Sequence, residues 1–171
     1  TDGGLYRSED QGFSWEKIEN NPTSQFYRVA YNPFQPEYYY GGMQDNGTAY
    51  QIKAGTVWAT IDSGDGGANA VNYRTYEAQG IAVLYGSSQY MGSLVRCRMN
   101  RDGSVAADSV TVLNLYHGDQ KLNNNKTELT FYPSLTLNRN DQARFAVGGY
   151  SLFLGQDDPA KLVKSPETLR I

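Results

Sequence analysis

The sequence predicts an all-β protein, and two features of its composition and patterning lead to this prediction. Tyrosine and glycine are abundant, with 14 and 18 copies among 171 residues, and this profile favours strands and tight turns over helices. Apolar residues occur in short runs bounded by Gly, Asn, Asp and Pro, which is typical of strands joined by turns. The length is sufficient for one domain with a sizeable core.

The strands follow from these apolar runs and from the turn-forming residues between them, such as Arg101-Asp102-Gly103. A helical turn is predicted at Pro159–Val163, where the proline suits the first helical position. The predicted strands are Gly4–Ser8, Phe13–Ile18, Phe26–Tyr31, Tyr38–Met43, Thr48–Ile52, Thr56–Ile61, Ala70–Tyr73, Ile81–Ser87, Ser93–Met99, Val110–Leu113, Thr127–Thr130, Leu135–Leu137, Arg144–Val147 and Ser151–Leu154.

An internal repeat refines the fold class. Similar strands begin around Leu5, Tyr50, Leu94 and Leu152, and a period of about 40–50 residues with four strands per unit is the signature of a β-propeller. The alternative is chance similarity between Tyr- and Gly-rich strands of a β-sandwich. The repeat predicts a partial β-propeller over 1–171, with a blade end at 1–20, blades at 21–66 and 67–114, and a last blade at 115–171 that contains a polar insertion at 117–126.

Composition excludes several functional classes. The net charge is -3, so there is no basic field that would attract nucleic acid. The apolar runs are too short to insert into a membrane. Cys97 is the single cysteine, which excludes an internal disulfide and a cysteine-cluster metal site. No cofactor is predicted. The sequence allows a structural cation such as calcium but contains no feature that supports one.

One motif is specific. Ser8, Asp10, Gly12, Ser14 and Trp15 fit the pattern S-x-D-x-G-x-S/T-W and resemble the Asp-box, or BNR repeat. Asp10 can accept hydrogen bonds from the turn, Gly12 can adopt a positive φ, and Ser14 can bond back across the turn. The resemblance implies that Trp15 packs between blades and that the motif is structural. No catalytic residue is predicted.

The resemblance extends beyond this motif. Tyr39–Thr48, followed by Gly64–Gly67, is similar to segments of bacterial multi-repeat Asp-box propellers, which are related to the sortilin and xyloglucanase propellers. The resemblance implies six or more blades in total, of which this chain would hold three to four. We therefore expect a piece of a longer polypeptide. We expect 171 residues alone to aggregate or fold poorly, because open strand edges invite pairing.

Polar residues at the ends of two predicted strands form the candidate ligand site. In a propeller, the loops between blades lie near the central channel, where ligands bind, and aromatic rings can supply stacking faces. The alternative is that Asp45, Asn46 and Asp65 cap turns and hold neighbouring blades together. The candidate ligand-binding residues are Gln44, Asp45, Asn46, Asp65, Tyr50 and Trp58, with Tyr39 and Tyr73 as further stacking candidates.

These observations favour a binding or scaffolding function. The sequence shows no pair of carboxylates suited to a glycosidase, and His117 lacks a nucleophile motif. The resemblance implies a non-catalytic segment of an exported or cell-surface protein, located outside the cell or in the periplasm, that binds protein or polysaccharide ligands alongside the remaining blades. The alternative is a fragment of a xyloglucanase-like glycoside hydrolase, with Asp2 near a catalytic position. Sequons at Asn46 and Asn125 leave glycosylation open.

Overall fold

The strands and helices below come from a computed structural model, which describes residues 4–19, 24–52, 57–157 and 167–171. The helical elements are α1 (Arg74–Gln79) and a short 3₁₀ turn (Gln89–Met91). The strands are β1 (Tyr6–Arg7), β2 (Glu16–Lys17), β3 (Phe26–Asn32), β4 (Gln35–Met43), β5 (Gly47–Ile52), β6 (Val57–Thr60), β7 (Gly66–Asn72), β8 (Ala82–Ser88), β9 (Leu94–Met99), β10 (Thr111–His117), β11 (Gln120–Lys121), β12 (Ser134–Leu137), β13 (Arg144–Gly148), β14 (Leu152–Gln156) and β15 (Glu167–Arg170).

The described strands form four separate sheets, none of which closes on itself. Strands β1 and β2 make a hairpin, and β3 to β6 make a four-stranded antiparallel meander. Strands β7 to β11 run in chain order through a third sheet, and β12 to β14 make a fourth. One pairing is parallel. It joins β15 to β10 and places Leu115 opposite Leu169. The prediction of an all-β chain is confirmed.

Two hydrophobic cores lie on opposite faces of the third sheet. Every residue of β8 is buried, as expected for a strand covered on both faces. Successive side chains of a strand point to opposite faces, so Leu84 belongs to the core shared with β3–β6, and Val83 and Tyr85 belong to the core shared with β12–β14. Strand β8, which the apolar run predicts, therefore lies in the layer against which the second and fourth sheets pack.

Glycines allow the second and third sheets to approach closely. A Cβ on Gly42 would lie 2.3 Å from the carbonyl oxygen of Gly67, and a Cβ on Gly66 would lie 2.1 Å from the carbonyl oxygen of Gly47. Real side chains cannot occupy such positions without moving the backbone. The paired glycines of β4 and β7 therefore fix the junction between the two sheets.

The other face of the β3–β6 sheet is exposed, and we call it the outer face. Its apolar side chains include Phe26, Val29, Tyr31, Tyr39 and Trp58, which are 37–59% exposed. Cross-strand pairs such as Tyr31 with Tyr39 place these residues on one side of the sheet, and Phe26 contacts Trp58 with ring centroids 5.5 Å apart. A contiguous apolar surface of this kind is typical of an interface.

Some sequence-based expectations are wrong. Thr127–Thr130 forms turns rather than a strand, because Asn125 accepts hydrogen bonds from the backbone and hydroxyl of Thr127 and its carbonyl accepts from Leu129. Helix α1 lies between two strands where no helix is predicted. The C-terminal residues Glu167–Arg170 form β15, where no strand is predicted.

The helical turn predicted at Pro159–Val163 falls outside the described residues. In the described parts of the chain, no helix is both long and apolar enough to cross a membrane.

Candidate functional site

Three connections meet at one end of the sheets: the β4–β5 turn, the β6–β7 connection and the β8–β9 turn. The amide of Asp45 donates to the Asp65 carboxylate at 2.9 Å. The amide of Asp65 donates to the Gln89 side chain at 3.1 Å, and the amide of Gln89 donates back to the Asp65 carbonyl at 2.9 Å. The structure therefore brings together Asp45 and Asp65, two of the residues that the sequence singles out.

The β4–β5 turn explains the position of Asp45. Its backbone has a φ of 58°, a left-handed conformation that aspartate tolerates better than most residues. Gly47 follows with a φ of 66°, and the Asn46 side chain donates to the Gln44 carbonyl at 2.8 Å. Gln44, Asp45 and Asn46 thus shape this turn, and the Asp45 side chain is left exposed.

Asp62 is a structural residue of the site that the sequence does not reveal. Its carboxylate accepts hydrogen bonds from the backbone amide and the hydroxyl of Thr48. Burial raises the pKa of Asp62, while the bonds from Thr48 act in the opposite direction. Because both oxygens are used by Thr48, Asp62 anchors the start of β5 to the β6–β7 connection.

Four aromatic side chains contact one another in a line, and we call them the aromatic row: Tyr27 of β3, Tyr90 of the β8–β9 turn, and Phe131 and Tyr132 of the segment before β12. The ring centroids of Tyr27 and Tyr132 lie 4.4 Å apart, those of Tyr132 and Phe131 4.6 Å, and those of Phe131 and Tyr90 5.0 Å. The amide of Tyr90 donates to the Phe131 carbonyl at 2.9 Å, which fixes the far end of the row. Residues from three sheets or their connections therefore form one continuous aromatic surface.

The two carboxylates act electrostatically on this row. Partial burial and a hydrogen bond with Tyr27 raise the pKa of the Tyr132 hydroxyl. The negative charges of Asp65 and Asp45 raise this pKa further, as nearby like charges do for an acid. At the other end of the row, the Lys126 ammonium lies 5.1 Å from the centroid of the Tyr90 ring.

The predicted stacking residues do not join this cluster. Tyr50 is half-buried and packs against the core between the β3–β6 and β7–β9 strands, where burial raises its pKa. Trp58 and Tyr39 lie on the outer face. Tyr73 follows the far end of β7 and contacts Phe34, with ring centroids 6.1 Å apart. A ligand role for Tyr50 and Trp58 stays a prediction, at positions separate from Asp45 and Asp65.

The hairpin between β1 and β2 carries the sharp sequence motif. The Asp10 carboxylate accepts the Ser14 hydroxyl at 2.6 Å, the Ser14 amide at 2.9 Å and the Ser8 hydroxyl at 2.9 Å. The bonds from Ser14, and then that from Ser8, lower the pKa of Asp10 to about 2. Gly12 has a φ of 95°. Trp15 is 64% exposed, so the described residues do not provide the packing partner that the motif predicts.

The remaining candidate residues have ordinary surroundings. Cys97 is buried. His117 is exposed, and its ring contacts Phe153 with centroids 5.5 Å apart. The sequon residue Asn46 is exposed, and the sequon residue Asn125 is half-buried within its turn. Within the described ranges, no group of three or more His, Cys, Asp or Glu side chains could hold a metal ion.

Comparisons with known proteins give no relative for this chain. No protein-family model matches the sequence, no curated protein matches it, and no solved structure matches its fold.

Proposed function

We propose that this chain is a segment of an Asp-box β-propeller and that it acts as a non-catalytic binding or scaffolding part of an exported or cell-surface protein. The cluster at the loop end carries the proposal: two neighbouring carboxylates and four aromatic rings, supplied by successive sheets. Binding sites typically combine aromatic surface with a few placed polar groups. The ligand would be a protein or a polysaccharide.

The order of the sheets supports a propeller. The β3–β6 strands form a meander in chain order, and β7–β10 repeat that order. The first strands of successive sheets are neighbours, because β3 packs beside β7 and β7 beside β12. Successive sheets that share this arrangement are expected of propeller blades around a channel. The exposed outer face would then contact a further blade.

The hydrogen bonds of the first hairpin support the Asp-box assignment. Asp10 binds the backbone and hydroxyl of Ser14, while the Ser8 hydroxyl accepts the amide of Gly12 at 2.7 Å. The residues of the motif therefore hold one another within the turn. A carboxylate that is fully engaged in this way is suited to a structural role.

The carboxyl groups favour binding over hydrolysis. A glycosidase needs an acid whose surroundings keep it protonated, opposite a second carboxylate. Burial raises the pKa of Asp62, but Thr48 donates to both of its oxygens. Its geometry serves the start of β5, because Thr48 donates one hydrogen bond to each oxygen.

The proposal is tested with the full natural polypeptide that carries this sequence. Its binding to a glycan array and to a displayed peptide library is compared with that of Phe131→Leu, which removes a ring from the row, and of Asp108→Asn as a control. Asp108 is exposed and has a φ of 53°, close to that of Asp45. We expect Phe131→Leu to weaken a binding signal that the control retains.

A polysaccharide panel provides the opposing result. Hydrolysis of any glucan by the full natural polypeptide would overturn the non-catalytic assignment and favour the glycoside hydrolase alternative. Equal binding by the parent and Phe131→Leu across both libraries would overturn the proposed site.

A further inference from the structure

The aromatic row presents ring faces beside negative charge. Tyr27, Tyr90 and Tyr132 are half-buried, and Phe131 is 41% exposed, so ring surface remains accessible while the rings support one another. The face of an aromatic ring carries partial negative charge. A ligand placed on this surface would therefore meet the rings and the carboxylates together.

The row already holds one cation. The ammonium group of Lys126 lies 5.1 Å from the centroid of Tyr90, within the range of a cation–π interaction. Lys126 occupies the end of the row next to Tyr90. At the opposite end, the described side chains form no cation–π contact with Tyr132 or Tyr27, and the Arg28 guanidinium donates to the Tyr27 carbonyl at 3.2 Å.

The carboxylates lie at that opposite end. The amide of Gln44, next to Asp45, donates to the carbonyl of Gln25 at 2.9 Å, which places the β4–β5 turn beside the start of the strand that carries Tyr27. The charges of Asp65 and Asp45 also act on the Tyr132 hydroxyl, and no lysine or arginine of the described residues forms an ion pair with either. The Asp65 carboxylate accepts one backbone amide, which leaves accepting capacity free. Negative charge beside aromatic faces is complementary to a basic group and not to an acidic or purely neutral one.

We propose that the Tyr27–Tyr132–Phe131 end of the aromatic row, together with Asp45 and Asp65, binds an arginine or lysine side chain of a peptide segment of the partner. The inference rests on the proposed binding function and names the chemistry of its ligand. The guanidinium or ammonium group lies over the tyrosine rings and pairs with the carboxylates. Arginine suits the site better, because its planar group can stack on a ring and donate to a carboxylate at once.

The test uses two peptides of nine residues that differ at one position. The first is a Gly/Ser peptide with a central arginine, and the second carries citrulline, which has nearly the same shape without the charge. Binding to the full natural polypeptide is measured by calorimetry at low and at high salt. We expect the arginine peptide to bind at least about fivefold more tightly at low salt, with the difference reduced at high salt.

Variants assign this difference to the site. Asp45→Asn with Asp65→Asn removes the charge while keeping the side-chain shape, and asparagine tolerates the left-handed backbone of Asp45. We expect the double variant to bind both peptides equally. Asp108→Asn, an exposed turn aspartate with a φ of 53°, should keep the full difference. Thermal melting of each variant checks that it folds like the parent.

The outcomes separate this inference from the proposed function. Equal binding of both peptides by the parent, or preferential binding of a neutral oligosaccharide that Phe131→Leu weakens, would overturn the basic-ligand inference and leave the binding function intact. Absence of binding to any peptide or oligosaccharide, with no effect of Phe131→Leu, would overturn both.

Discussion

Replacement of Asp157 by asparagine should destabilise the protein more than any exposed charge substitution. Asp157 follows β14, and its carboxylate forms an ion pair with Arg96 of β9. It also accepts the hydroxyl of Tyr85 at 2.7 Å. The side chains of Arg96 and Asp157 are only 5% and 1% exposed, so the pair ties the fourth sheet to the third within the protein interior.

The expected magnitude follows from this burial. Removing one charge of a buried pair costs about 3–5 kcal/mol, because the remaining charge loses this carboxylate in a medium that solvates it poorly. Asparagine keeps an oxygen that can accept the Tyr85 hydroxyl, so the decrease in the free energy of unfolding comes mainly from the removed charge. For a chain of this size, Tm should fall by roughly 6–20 °C. Replacing both partners by apolar residues, as in Arg96→Met with Asp157→Leu, should cost far less than the two single changes together.

The assay is thermal and urea unfolding followed by circular dichroism. It is applied to Asp157→Asn and to a double-mutant cycle of the parent, Arg96→Met, Asp157→Leu and the variant with both changes. Asp141→Asn is the matched control. Asp141 pairs with Arg144 at 3.1 Å, but these side chains are 49% and 66% exposed, and such surface pairs contribute about 0–1 kcal/mol. If Asp157→Asn costs no more than Asp141→Asn, or if the double variant loses the sum of the single losses, the reasoning about the buried pair is wrong.

Four further outcomes follow from individual contacts. Hydrogen bonds lower the pKa of Asp10 to about 2 from 3.8. The stabilisation of the folded hairpin by these bonds should therefore be complete above pH 3.8 and be lost as the pH falls through about 2. An NMR titration of Asp10 with a midpoint near 3.8 would contradict this. Burial raises the pKa of Cys97 to about 12, so a thiol reagent at pH 8 should label it only after unfolding, and immediate labelling would refute the buried thiol. Gly42→Ala places a Cβ 2.3 Å from the Gly67 carbonyl oxygen and should cost about 1–3 kcal/mol in urea unfolding, whereas an unchanged midpoint would show that the junction can relax. The exposed outer face should drive association of the 171-residue chain, which Val29→Lys should reduce in sedimentation; a monodisperse parent chain would exclude this.

Local sequence patterns account for most of the strands. The apolar run that predicts Ile81–Ser87 corresponds to β8, and Tyr38–Met43 lies within β4. Turn residues mark the gaps between strands because glycine, asparagine and aspartate tolerate the required backbone. Helix α1 escapes prediction, since six residues that bury no side chain provide no helical periodicity to detect.

Long-range packing accounts for what the sequence does not predict. Asp45 and Asp65 are suggested by their glycine-rich turns, but Tyr27 and Tyr132 meet only because β3 and the segment before β12 lie at the same end of β7. No local pattern relates residues so far apart in the chain. Local sequence patterns do not predict the parallel pairing of β15 with β10 for the same reason.

The position of β7 explains why these distant residues form a single site. Its first residue, Gly66, lies so close to β4 and the start of β5 that an added Cβ would fall 2.1 Å from the Gly47 carbonyl oxygen and 2.6 Å from the Met43 nitrogen. Asp65 immediately precedes this contact, and its carboxylate receives the amide of Asp45 from the neighbouring sheet. Since β7 also packs between β3 and β12, the same glycine junction sets the distance between the carboxylates and the aromatic row. The geometry of the site is therefore a consequence of sheet packing. A side chain added at Gly66 should disturb the site by separating the two sheets, although Gly66 has no side chain that could contact a ligand.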